Sequence, residues 1–222
     1  MALEPLFKKL WEIIYEHRAK LILGISILVI VAIYIYKITK RIEKIEDLPR
    51  NSKGKVLHGL VTYVCDGDGF KMFHIPWFRS SKITGKLKTL SIRISSIDAP
   101  EIGKFGNPDQ PFSQEAKKFL SDLILEKNVK IKILGIDRYS RILATVYCGP
   151  FYNRKNVSLE LIKKGFACIY RGSDAIYDKH KDRLFKAEEQ AKKNKVGMWK
   201  SKNLVLPSVY KQNLKKLASG SS

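Results

Sequence analysis

The sequence VLHGLVTYVCDGDGFKMFHI, residues 56–75, sets the fold class of this chain of 222 residues. Two runs rich in β-branched and aromatic residues lie on either side of the turn sequence Asp66-Gly67-Asp68-Gly69. Asp-Gly pairs between hydrophobic runs of this kind are a strong local signal for a β-hairpin. The stretch therefore predicts two antiparallel strands that are joined by a tight turn.

Further short strands and helices are predicted on the C-terminal side of this hairpin. Apolar and β-branched runs predict strands over residues 90–97, 129–134 and 142–147. Apolar residues at helical spacing predict helices over residues 113–126, with Ser113 as the N-cap, after Asn156 up to Gly165, and over residues 177–193. Five short strands with interspersed helices favour an α+β fold, a small closed five-stranded β-barrel with packed helices, over a doubly wound sheet.

An uncharged run of 16 residues lies on the N-terminal side, from Leu21 to Tyr36, between Lys20 and Lys37. As a helix it covers about 24 Å, and the flanking lysines can extend to the interface to make up the remaining length of a bilayer core. We predict one transmembrane helix over residues 21–38, preceded by an amphipathic segment over residues 1–20. The alternatives are a cleaved signal peptide or a buried core helix, and a mitochondrial presequence for the first segment.

Positive charge is concentrated in the remainder of the chain. The net charge is +21, and residues 1–52 carry nine Lys and Arg against six Asp and Glu, so residues 53–222 carry +18. This excess favours a polyanionic partner, nucleic acid or anionic lipid, over an acidic small molecule. We expect a linker over residues 39–54, a globular domain over residues 55–200 and a loose basic tail over residues 201–222.

Three short segments place acidic residues beside arginines or strand ends in this basic domain. They are the turn with Asp66 and Asp68, the sequence RISSIDAPE at residues 93–101, and the sequence DRYSR at residues 137–141. Each also has an ordinary structural explanation, as a hairpin turn, a strand-to-turn junction and a surface turn respectively. The scattered histidines do not have the spacing of a zinc site.

Taken together, the three segments resemble the signature of the staphylococcal-nuclease-like (thermonuclease) family. That signature is a DGD hairpin, then an arginine on a strand with an aspartate five residues later and a following Pro-Glu, then a D-x-Y-x-R turn. The resemblance continues through QPFSQEA at residues 110–116, VSLELIKKGFA at 157–167 and AEEQAKKNKVGMW at 187–199. With the apolar span ahead of the domain, the chain looks most like the membrane-anchored branch of that family known from fungi, and the resemblance implies an OB-fold-like barrel.

The resemblance implies a calcium site. Asp68 and Asp98 match the carboxylates that hold Ca²⁺ in the family, and the backbone carbonyl of Ala99 matches a further ligand. Family members usually have Thr in place of Ala99, but a backbone carbonyl ligand is independent of that side chain. Oxygen ligands of this kind suit a hard divalent cation.

The resemblance also implies a catalytic set. Arg93 and Arg141 match the arginines that bind the phosphate in the family. Arginine suits this role because its planar guanidinium can bind two phosphate oxygens at once. Glu101 matches the carboxylate that acts as general base or orients the attacking water. Tyr139 and Tyr170 are the candidates for contact with the substrate.

These observations predict a membrane-anchored, calcium-dependent endonuclease that hydrolyses phosphodiester bonds of DNA or RNA with little sequence preference. The alternative is a catalytically inactive nuclease-fold module that binds nucleic acid, lipid or protein at a membrane. The expected location is a mitochondrial membrane or an endomembrane, with a single span and no predicted protein partner.

Overall fold

The computed structural model describes residues 4–76, 87–103 and 106–219. Most of the polar stretch from Trp77 to Lys88, which the sequence indicates is an insertion between the second and third strands, therefore lies outside the described residues. The chain divides into a helical N-terminal unit that ends at Lys40 and a second unit that begins at Arg41.

The N-terminal unit is built on one long helix, α1, from Glu4 to Thr39. The separate amphipathic and membrane-spanning segments that the sequence predicts are thus parts of one continuous helix. Its most apolar stretch has no buried residue, and the helix is long and apolar enough to cross a membrane.

The described residues of the second unit form eight strands. They are β1 (Val56–Val64), β2 (Gly69–His74), β3 (Leu90–Ile94), β4 (Ile97–Asp98), β5 (Asn128–Ile136), β6 (Ile142–Cys148), β7 (Lys155–Asn156) and β8 (Cys168–Ile169). Six of them form one sheet in the order β3-β2-β1-β5-β6-β7, and a parallel pairing between β3 and β6 closes the first five strands of this order into a barrel. The predicted α+β fold with a closed five-stranded barrel is confirmed.

Four helices accompany the barrel in the described part of the second unit. They are α2 (Ser113–Ile124), α3 (Val157–Lys163), α4 (Lys181–Lys193) and α5 (Pro207–Ser219). Asn156 caps α3 as expected, because its side chain accepts a hydrogen bond from the Leu159 amide at 3.1 Å. The prediction that Ser113 caps α2 is wrong: Phe112 is the N-cap residue, with a φ of 70°, and Ser113 is the first helical residue.

The core fills the barrel with alternate residues of its strands and extends under the helices. Val61, Ile92, Ile131 and Ala144 are among its fully buried members. A stripe on α2, formed by Ala116, Leu120 and Ile124, is buried as well. This alternation in strands and spacing of three to four in helices is the expected pattern for elements with one apolar face.

The segment expected to be a free linker is partly packed on the barrel unit. Ile42, Ile45 and Leu48 are partly buried against the core. The Ile42 amide donates a hydrogen bond to Nδ1 of His74 at 2.9 Å. Burial of these three apolar side chains explains why residues 42–48 do not behave as a solvated spacer.

The segment expected to be a loose tail contains helix α5. Pro207 stands at its first position, where the fixed φ of proline suits a helix and the missing amide costs nothing. The expectation of an unfolded C-terminal segment is therefore corrected for residues 207–219, because tertiary contacts stabilise a helix that is too short to persist alone.

Candidate active site

The turn between β1 and β2 holds Asp68 at the end of the barrel. Its backbone carbonyl accepts a hydrogen bond from the Ile94 amide at 2.8 Å, which ties the turn to the end of β3. A Cβ atom placed on Gly67 would lie only 2.6 Å from Cβ of Ala99. Glycine at this position therefore lets the turn lie directly against the segment that follows β4.

Arg93 joins two buried carboxylates. It lies on β3 opposite Gly69 of β2, and the chain then turns at Ser96 so that Asp98 on β4 faces back toward it. Nη2 of Arg93 lies 3.1 Å from Oδ2 of Asp68 and 3.2 Å from Oδ1 of Asp98. The two aspartates are 3 % and 2 % exposed, so their charges depend on partners within the protein.

The electrostatics of these groups reflect their burial. Burial lowers the pKa of Arg93, but the charges of Asp68 and Asp98 outweigh it and raise that pKa above its ordinary value. Burial also raises the pKa of Asp98, and the nearby charge of Asp68 adds to this while Lys211 and Arg93 oppose it. Two carboxylates at close range thus favour a cation between them.

The donor set fits a hard divalent cation. Oδ2 of Asp68 is buried and accepts no hydrogen bond from the described residues, although Arg93 lies close to it. Asp68, Asp98 and the Ala99 carbonyl would supply oxygen ligands, which such a cation prefers. No cluster of three or more His, Cys, Asp or Glu side chains suited to a metal occurs within residues 4–76, 87–103 and 106–219. Water and substrate oxygens would have to complete the coordination.

Glu101 is held close to Asp98 by contacts that the sequence did not reveal. Its amide donates a hydrogen bond to Oε1 of Gln110 at 3.0 Å, and its carbonyl accepts one from the Gln110 amide at 2.9 Å. Nζ of Lys211, on α5, lies 2.7 Å from Oε1 of Glu101 and 2.7 Å from Oδ1 of Asp98. One ammonium group thus joins the two carboxylates.

Lys211 and Gln110 are the site residues that sequence reasoning missed. Burial lowers the pKa of Lys211, but the charges of Asp98, Asp68 and Glu101 outweigh it and raise that pKa, which keeps the ammonium charged. The available signal for Lys211 was Pro207 followed by apolar residues at helical spacing, which is typical of a helix start. Nothing in the local sequence indicated that this helix would reach the site.

Arg141 lies on the same face of the barrel as Arg93 but has a different partner. The pairing of Arg93 with Leu143 places Arg141, two residues earlier on the chain, diagonally across from Arg93. Its Nε donates to Oδ2 of Asp137 at 2.7 Å, and its amide donates to Oδ1 of Asp137 at 2.9 Å. Burial raises the pKa of Asp137, but these hydrogen bonds outweigh it and lower the pKa. The structure therefore brings Arg141 near the site, with its side chain turned onto Asp137.

The two predicted substrate-contact tyrosines lie in different surroundings. Tyr139 is 64 % exposed, and the guanidinium of Arg141 lies 5.6 Å from its ring centre. The Tyr170 amide donates to the carbonyl of Ser96 at 3.0 Å, which places it directly beside the turn that carries Asp98. Its hydroxyl donates to Oδ1 of Asp174 at 2.7 Å, and this bond raises the pKa of Tyr170.

The fold and the site define a small barrel protein with a buried carboxylate pair and arginines at one end. The sequence matches the family described as staphylococcal nuclease homologue over residues 91–201. A Schizosaccharomyces pombe protein named "Probable endonuclease" is 34 % identical, over 90 % of this chain and 98 % of that protein. "Probable endonuclease LCL3" of Komagataella phaffii is 38 % identical, over 75 % and 79 % of the two chains.

A third relative, "Endonuclease Htp3" of Saprolegnia parasitica, is 34 % identical over 80 % of this chain and 87 % of that protein. The chain belongs to the staphylococcal nuclease family, and the family resemblance read from the sequence is confirmed. The similarity to proteins named endonuclease supports a nuclease function.

Proposed function

We propose that this protein is a calcium-dependent endonuclease that hydrolyses phosphodiester bonds of DNA or RNA with little sequence preference. The observation that carries the proposal is the position of Arg93 between Asp68 and Asp98, with Glu101 joined to Asp98 through a single ammonium group. Membership in the staphylococcal nuclease family and relatives named endonuclease support the same reading.

The chain's own residues supply binding and proton transfer. Arg93 uses its donors to bind non-bridging oxygens of the phosphate, and Arg141, released from Asp137, binds the oxygen on the leaving side. Glu101 orients a water molecule and accepts its proton during attack on phosphorus. A calcium ion held by Asp68, Asp98 and the Ala99 carbonyl would neutralise charge on the phosphate when bound.

The partners and location follow from charge and hydropathy. The second unit carries most of the net charge of +21, which suits a phosphate backbone and predicts binding that weakens steeply with salt. Tyr139 and Tyr170 are proposed to contact the nucleic acid. We assign the apolar part of α1 to a single membrane span, in a mitochondrial membrane or an endomembrane.

The test is a cleavage assay on the full chain in detergent micelles. Single-stranded DNA and RNA are incubated with saturating Ca²⁺, with Mg²⁺ or with chelator. Glu101→Gln is compared with Glu115→Gln, the same change at an exposed position on α2. We expect Glu101→Gln to lower the rate at least about 100-fold and Glu115→Gln to leave it unchanged.

Three results would contradict the proposal. Cleavage in chelator, or cleavage by Glu101→Gln at the wild-type rate, would remove the calcium-dependent mechanism. Binding of nucleic acid without cleavage under any condition would favour an inactive nuclease-fold module.

A further inference from the structure

Lys211 occupies the space between the acidic groups of the candidate active site. Its ammonium contacts Asp98 and Glu101 at 2.7 Å each, while Arg93 contacts Asp98 from within the barrel. The residue lies 113 positions from Asp98 along the chain, on the last helix. A positively charged group of the protein itself therefore contacts an oxygen of Asp98, one of the two carboxylates proposed to hold the divalent cation.

The segment that carries Lys211 is attached to the site at two further points. Nε2 of Gln110 donates to the carbonyl of Val205 at 2.7 Å, just before α5 begins. The hydroxyl of Tyr210 donates to the carbonyl of Pro108 at 2.6 Å. Gln110 and Pro108 both belong to the chain segment that follows Glu101, so α5 is docked specifically on this part of the molecule.

We propose that α5 is an autoinhibitory element in which Lys211 holds the cation position, so that a divalent cation can bind the site only when Lys211 leaves it. The inference rests on the proposed calcium site and concerns the regulation of that site. The regulatory role of the C-terminal segment then depends on the contact of Lys211 with Asp98 and Glu101.

The contact blocks the site in two ways. An ammonium group satisfies Asp98 by charge and hydrogen bonding, so a divalent cation must displace it to reach the same oxygen. The same ammonium pairs with Glu101, whose carboxylate is then not available to accept a proton from water. The Lys211 side chain remains 33 % exposed, so solvent partly screens its pair with Asp98.

The expected effect follows from the balance of docked and released forms. When only a fraction of the molecules is competent to bind, the apparent dissociation constant rises by the inverse of that fraction. A docked population of about 90 % would therefore weaken calcium binding about tenfold. Removal of the ammonium should therefore lower the apparent dissociation constant for calcium by the same factor.

The first experiment measures calcium binding by titration calorimetry on the full chain in detergent micelles. Lys211→Met removes the charge and keeps an unbranched side chain that suits a helix. Lys202→Met is the matched control, because Lys202 is an exposed lysine of the same C-terminal segment. We expect a Kd for Ca²⁺ about tenfold lower or more in Lys211→Met and an unchanged Kd in Lys202→Met.

A second variant and a second measurement keep the inference testable if Lys211→Met fails to fold. Tyr210→Phe removes only the bond to Pro108 and should shift the Kd in the same direction by a smaller factor. Hydrogen exchange of the amides in residues 208–214 of the wild type should accelerate when Ca²⁺ is added. A Kd that is equal in wild type and Lys211→Met, or a helix equally protected with and without bound Ca²⁺, would overturn the inference.

The two readouts separate this inference from the proposed function. Tighter calcium binding by Lys211→Met with no cleavage by any variant would support the inference and refute the nuclease assignment. Unchanged calcium binding with cleavage that depends on Glu101 would refute the inference and support the assignment. Failure of wild type and Lys211→Met alike to bind Ca²⁺ would refute both.

Discussion

Arg93 and Asp98 are five residues apart in the chain, and Nη2 of Arg93 lies 3.2 Å from Oδ1 of Asp98. The contact is possible because the chain reverses at Ser96, which has a φ of 71°, so β4 runs back past the end of β3. The Ser96 hydroxyl donates to the Ile176 carbonyl at 2.8 Å and thereby holds the turn. The spacing in the sequence RISSIDAPE is therefore the length needed for a strand, a tight turn and a returning carboxylate.

Arg93→Ala should destabilise the protein and abolish activity. Without the guanidinium, two buried carboxylates lose their shared partner, and breaking a buried ion pair in this way costs about 3 kcal/mol or more. The free energy of unfolding is measured by urea denaturation of the full chain in micelles. Arg138→Ala, at an exposed position, is the control, and equal stability of the two variants would contradict the prediction.

Arg141→Ala should impair catalysis much more than stability. We expect a rate at least about 100-fold lower, because one contact to the charge that develops in the transition state is lost. The partly exposed pair with Asp137 adds about 1 kcal/mol or less to the free energy of unfolding. Cleavage rates are compared with Arg138→Ala, its neighbour in the same turn. A wild-type rate for Arg141→Ala would remove this residue from the catalytic set.

Gly67→Ala should disturb the turn that holds Asp68. The added Cβ would lie 2.6 Å from Cβ of Ala99 and 3.0 Å from Cβ of Ala116, both buried, so the backbone must shift. We expect a loss of about 1–3 kcal/mol in stability and weaker binding of calcium. Gly135→Ala is the control, since no described atom lies within 4 Å of its added Cβ. Similar urea midpoints for the two variants would show that the close approach at Gly67 does not matter.

Stability should fall at acidic pH because of His74. Burial, and then the charges of Arg41 and His58, lower the pKa of His74 to about 4. The folded state therefore favours the neutral ring, whose Nδ1 accepts the Ile42 amide, while the unfolded chain protonates near the ordinary value of 6.5. The contribution of His74 to the free energy of unfolding is present in full above about pH 6.5. It falls by about 3 kcal/mol as the pH drops toward 4.

The measurement compares urea unfolding of wild type and His74→Asn between pH 4 and pH 7. Asparagine can accept the Ile42 amide with its side-chain oxygen but does not titrate. We expect the fall in stability with pH to be shallower in the variant. Parallel curves would assign the acid sensitivity to other groups, among them His58, whose pKa burial also lowers.

Local patterns in the sequence were sufficient to predict the barrel and to single out the three segments that place acidic residues beside arginines or strand ends. The DGD turn, the alternation of apolar residues and the Asn156 cap each depend on contacts within a few residues, so they are readable from spacing. The ends of the helices followed less well: Phe112 rather than Ser113 is the N-cap residue of α2. Tertiary packing shifts such ends by a few residues.

The positions of Lys211 and Ile42 depended on the folded molecule. Lys211 meets Asp98 across 113 residues, and the Ile42 amide meets His74 across 32 residues. In the sequence, Lys211 is one of several lysines in a basic segment, and Ile42 stands in a polar stretch. Hydrophobic periodicity and turn residues specify backbone geometry over short distances, whereas the partner of a distant charge is chosen when whole elements pack together and exclude water from it.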